Sequence, residues 1–140
     1  MTASTRELQG DGSVVLRDAR CTFTFRRMAY GVMELSIAGT DNGQLGAAPL
    51  GELAMALVRE RPLELFVDAT EASMPAVSVS REWTRFFALN QRDLKRVSVL
   101  VSSKSVELAI AIAKHLSDTG KLIQIYSDAQ LYESRKAAAL

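Results

Sequence analysis

Two short runs of hydroxyl side chains and a few charged residues hold most of the reactive chemistry this sequence offers. In VSVSREW (Val77 to Trp83), Ser78 and Ser80 stand just before a helical pattern. A serine there can cap the helix by accepting from its free amides. It can also carry a phosphate whose charge meets the positive end of the same helix. In VSSKS (Val101 to Ser105), Ser103 and Lys104 follow an apolar run and open another helical pattern. Backbone amides and a lysine in that setting can hold an anion. No glycine-rich approach and no Gly-Lys-Ser or Gly-Lys-Thr accompanies them, which excludes a P-loop.

Other chemistries fail for lack of residues. His115 is the one histidine and Cys21 the one cysteine. That leaves no Ser-His-Asp or Cys-His constellation, no zinc site of the usual kind and no intrachain disulfide. Glu64 and Asp68 could serve as acid and base only if the fold gathered them in a cleft. Asp68 with Lys104 suggests a response-regulator receiver, but that site needs a further acidic pair to hold a divalent metal. The strand end where that pair belongs reads FTFRR and supplies Arg26 and Arg27 instead. The expectation is a protein that is not an enzyme and uses no metal or cofactor.

The bulk properties agree with a binding role. A chain of 140 residues with 48% hydrophobic and 24% charged residues has ordinary globular composition and can bury one core. A formal net charge of +1 creates no field for nucleic acid or an anionic membrane. No apolar run reaches the ~20 residues of a membrane span. The opening MTASTRELQGDG has no apolar signal segment, so the expected compartment is the cytoplasm.

The elements that must position these residues can be read in order. Residues 1–13 are polar and predict a flexible tail. CTFTF alternates, with Cys21, Phe23 and Phe25 on one face. VMELSIAG alternates again after MAYG, which predicts an antiparallel hairpin. TDNGQLGAA is a loop by its turn residues. A helix follows, with Pro49 placed to start it and Pro62 to stop it. LELFVD is a strand apolar on both faces. Trp83, Phe86, Phe87 and Leu94 mark a helical face, VSVLV a strand, and Val106, Ala109, Ile110, Ala113 and Leu116 another helical stripe capped by Gly120. LIQIY is the last strand, and Ser127 with Gln130 has the form of a capping box opening a final helix. The order β-β-α-β-α-β-α-β-α predicts an α/β fold over residues 14–140: one mixed sheet, antiparallel at its N-terminal hairpin and parallel thereafter, with about four helices.

This order, with LELFVDAT, a serine-led helix, VSVLVSSKS and LIQIYSDAQLYE, resembles the STAS domain. That is the fold of bacterial anti-anti-sigma factors in the SpoIIAA-like superfamily, and of STAS-like proteins sometimes grouped with lipid-binding Sec-fourteen-type domains. The resemblance covers about Val14 to Ala138. It implies a regulatory module that binds a protein partner, with phosphorylation of a serine at Ser78 or Ser80. The family's switch serine usually follows an Asp and precedes a Gly. Here Val77 and Val79 precede the serines and no Gly follows, so phosphorylation is not expected to set the default state.

The connection before the Trp83 helix is unusually apolar for a segment that should face water. Met74, Val77, Val79 and Trp83 are therefore the expected binding surface. A protein partner is expected there; a pocket for a small apolar ligand or lipid near the Trp83 helix is the alternative. A homodimer is compatible with both.

Overall fold

The computed structural model describes residues 5–102, 104–116 and 121–140. Seven strands form one mixed sheet in sequential order. They are β1 (Thr5–Leu8), β2 (Val14–Arg17), β3 (Cys21–Ala29), β4 (Val32–Gly39), β5 (Leu63–Ala72), β6 (Leu94–Leu100) and β7 (Ile123–Tyr126). The helices are α1 (Ala48–Arg59), α2 (Val77–Leu89), α3 (Lys104–Leu116) and α4 (Ala129–Ala139). Strands β1 to β4 pair antiparallel, and β4 to β7 pair parallel.

The predicted hairpin is β3–β4. It turns at Tyr30-Gly31, where Gly31 takes a positive φ of 73°. The expected loose tail gives way at Thr5, because β1 pairs along its whole length with β2. Its Arg6 reaches back to Glu52 of α1. The polar TREL carries no alternation for a periodicity argument to find. Only pairing with β2 makes it a strand.

Strand order explains where the helices sit. Each parallel step moves one place in the same direction, and right-handed crossovers repeated in one direction put their helices on one face. Leu53, Ala56 and Leu57 of α1, Phe87 of α2 and Val106 of α3 accordingly share one core with Phe23, Leu35, Leu65 and Val97 of the sheet. The opposite face is closed at its centre by α4, where Tyr132 packs on Val32, Phe66 and Leu100. LELFVD reads as continuous apolar sequence because Leu63, Leu65 and Val67 serve the first core while Phe66 serves the second.

The helix starts differ in part from expectation. Pro49 lies in the first turn of α1, as the sequence predicts. The cap of α4 is Asp128, not Ser127: its carboxylate accepts from the amides of Gln130 and Leu131. Gly120, expected to cap α3, lies outside the described residues.

Candidate functional site

The stretch after β5 folds differently from its sequence reading. Helix α2 begins at Val77, so Val77, Ser78, Val79 and Ser80 form its first turn and not a loop. Its N-cap is Ala76, in extended backbone, with no side-chain hydrogen bond. Neither serine caps the helix: the Ser80 amide already donates to the Ala76 carbonyl at 3.0 Å. The alternation of Val and Ser hid the helix, since period two is a strand signal in sequence. Ser78 is exposed and Ser80 half-buried on the first turn.

Helical geometry separates the four residues expected to share a surface. Met74 is 47% and Val77 67% exposed. Val79 is buried, and the Trp83 ring turns inward to stack on Phe23, with centroids 6.1 Å apart and planes 12° apart. Phe87 lies beyond it, its centroid 5.9 Å from that of Trp83. Val79 and Trp83 are walls of the interior; Met74 and Val77 are what the solvent meets.

Between the sheet and the helices α2 and α3 lies a cavity of about 150 Å³. Phe23, Val67, Val79, Trp83, Val99 and Ile110 give it apolar walls from five elements. Asp41, Ser73, Ser80, Thr84 and Lys114 are its polar lining. The sheet order never reverses, so there is no switch-point crevice at the strand ends of the kind open α/β folds use. The concavity arises under the helices instead.

Asp41 is the residue the sequence reading passed over. It sits in the TDNGQLG turn, where an Asp needs no explanation beyond the turn. Folding buries it to 7% exposure. Burial pushes its carboxyl above the ordinary range; the Gly43 amide opposes this, while Asp18 and Glu82 add to it. Its Oδ1 accepts from the Gly43 amide at 2.9 Å, and its carbonyl accepts from the Ala76 amide at 3.1 Å. The loop is thereby tied to the start of α2. Gly39 precedes it with φ +87°, and a Cβ there would stand 2.0 Å from the Arg20 carbonyl oxygen, so only glycine fits.

The remaining candidates scatter. Asp68 lies within β5 and accepts from the amide of Thr70 at 3.1 Å and its hydroxyl at 2.7 Å, a local turn beside a register shift. Lys104 is exposed at the first residue of α3, and Ser103 lies outside the described residues. Ser102 donates to the Thr70 carbonyl at 2.6 Å, tying β6's end to β5. Cys21 is buried, and desolvation with nearby Asp41 and Asp18 pushes its thiol up to about 12, far from a nucleophile's range. Glu64 faces Arg135 of α4 across 3.4 Å, and neither it nor Asp68 lines the cavity beneath α2. Among the described residues no cluster of His, Cys, Asp and Glu has metal-ligating form, and no helix is long and apolar enough to cross a membrane.

Solved structures share this architecture. The chain is similar to the crystal structure of an anti-sigma factor antagonist from Mycobacterium paratuberculosis, with a TM-score of 0.55 and 15% identity over 84% of this chain and 94% of that one. It is similar also to an uncharacterised DUF3478-family protein with a SpoIIAA-like fold from Shewanella loihica PV-4, with a TM-score of 0.56 and 15% identity over 82% and 92% of the two chains. No family model and no curated protein matches the sequence. The fold is STAS-like: a single SpoIIAA-like mixed sheet of seven strands with four helices.

Proposed function

We propose that this chain is a non-enzymatic regulatory module that acts by binding another protein through the start of α2. The observation that carries this reading is the exposure of Met74 and Val77 together, 47% and 67%, at the entrance to that helix. Nothing in the packing of α2 calls for apolar side chains there, because its buried face is served by Val79 and Phe87. Burial against a partner accounts for both. A structural neighbour named as an anti-sigma factor antagonist supports a protein as the target.

Replacing Met74 and Val77 by Ser tests this. The double variant should keep its melting temperature within a few degrees. It should also lose the stoichiometric partner that the wild-type protein is expected to carry in native mass spectra from its own cells. A wild type that carries no partner, or a variant that retains it undiminished, would overturn the reading. Ser78, exposed on the same turn, is the position at which phosphorylation would alter this surface, and Ser78→Asp in the same assay reports on that.

A further inference from the structure

A second binding function is written in the cavity beneath α2. Its volume of about 150 Å³ matches that of the apolar cavity which, engineered elsewhere, stays dry and admits benzene. The cavity is partly open to solvent, and its apolar walls lose the van der Waals contacts that close packing would give them. Packing alone gives no reason to leave it open between Phe23, Val67, Trp83 and Ile110.

The lining also includes a buried acid without a countercharge. Asp41 is 93% buried by its 7% exposure. Among the described residues it forms no ion pair. Its side chain accepts one hydrogen bond among the described residues, from the Gly43 amide. A buried carboxylate is costly unless a cation or several donors satisfy it. The buried carboxylates elsewhere in this protein obey that rule: Glu34 is met by Lys136 and Tyr132, Glu52 by Arg6 and Glu64 by Arg135. Among the described residues Asp41 is the exception: it has no cation, its carboxylate is not among the sealed atoms left without a partner, and it borders the cavity.

We propose that this cavity binds a small, mainly apolar ligand bearing a cationic amine, with the Asp41 carboxylate as the anchor for the amine. Lys114 also lines the cavity. It is only half-buried on α3 and keeps access to water, so it is the weaker anchor. Met74 and Val77 do not line this cavity, although Ser73 and Pro75, on either side of Met74, do.

Toluene, benzylamine and benzoate are matched probes, of one ring size and different charge. Trp83 is the only tryptophan of the chain and lines the cavity, so its fluorescence reports binding directly. Benzylamine should bind at least tenfold more tightly than toluene, and benzoate more weakly than either. Asp41→Asn should erase the preference for benzylamine and leave toluene within about twofold. Ala113→Phe, which fills the cavity from α3, should abolish the response to all three. The ranking in the wild-type protein stands as a test even if a variant fails to fold. No saturable Trp83 response, equal affinity for toluene and benzylamine, or tightest binding of benzoate would each overturn the proposal.

Discussion

The hydroxyl of Tyr132 donates to the Glu34 carboxylate at 3.0 Å, joining α4 to β4 across 98 residues of chain. Lys136 reaches the same carboxylate oxygen at 2.7 Å, one turn further along the helix. Both sheet residues Glu34 and Glu64 are buried, and each meets a donor from α4. Two acids on the inner strands thus fix where the last helix lies on a face whose apolar cluster is small. Removing the hydroxyl alone leaves the ring packed on Phe66, at a centroid distance of 5.8 Å. Tyr132→Phe should therefore cost the hydrogen bond and little packing, about 1.5–3 kcal/mol for a bond to a charged group. Urea unfolding measures it, and a loss below about 0.5 kcal/mol would show that Lys136 satisfies Glu34 unaided.

The same network sets the alkaline limit of stability. Burial and the Glu34 charge raise the Tyr132 hydroxyl above its ordinary 10.0. Burial would lower the Lys136 ammonium, but hydrogen bonds and charges from Glu34 and Glu133 outweigh it and hold it above 10.5. A raised value means the folded protein keeps protons that the unfolded chain releases. The stabilisation is complete below the unfolded values and declines as pH rises past them. Stability should fall from about pH 10 upward, and the fall should be shallower in Tyr132→Phe. Parallel pH titrations of unfolding free energy for the two proteins decide this.

Helix α2 lacks the cap its serines suggest. Ala76 has the extended backbone of an N-cap, φ −60° and ψ 151°, but no side-chain acceptor. Ala76→Ser should supply one and add about 1 kcal/mol. Ser80→Ala, which as a lost cap would cost as much, should change stability by no more than about 0.5 kcal/mol, because alanine is the better helix former at an interior position. Thermal or urea unfolding of both variants separates these outcomes cleanly.

The contrast shows what was legible in the sequence. Period-two alternation in CTFTF and VMELSIAG revealed the hairpin, and apolar runs spaced by helical stripes revealed the parallel half of the sheet. These signals are local, and the cores that use them are large. Strand β1 was hidden because its partner lies elsewhere in the chain. VSVS misled because its residue types alternate while its exposure does not: Val77 and Ser78 face solvent, Val79 is buried and Ser80 half-buried, as one helical turn places them. The candidate surface was half legible: apolar residues before Trp83 are unusual, but only the helix's rotation shows that Val77 points out while Val79 and Trp83 point in. Asp41 gave no signal at all, since its character comes from burial and from forming no ion pair among the described residues.

That character leads to a last prediction, independent of any ligand. Burial raises the Asp41 carboxyl above its ordinary 3.8, Asp18 and Glu82 add repulsion, and the Gly43 amide only partly opposes them. Cys21 nearby is uncharged at neutral pH, its thiol being held up to about 12. Lys114 shares the cavity but forms no ion pair with Asp41. A carboxyl raised in the folded state contributes stability that is present below its unfolded value and lost as pH rises through its folded value. Wherever the side chain is ionised, its charge is therefore a burden on the fold. Asparagine keeps the acceptor for the Gly43 amide and removes the charge. Asp41→Asn should accordingly be more stable than wild type at pH 7, with the gain shrinking as pH falls and vanishing below about 3.8, where the wild-type acid is neutral in both states. Melting temperatures of the two proteins between pH 3 and pH 7 provide the measurement. A stability loss at pH 7 would mean that the carboxylate already has its cation within the fold. A gain would mark Asp41 as a residue held at a cost to stability, as residues in binding sites commonly are.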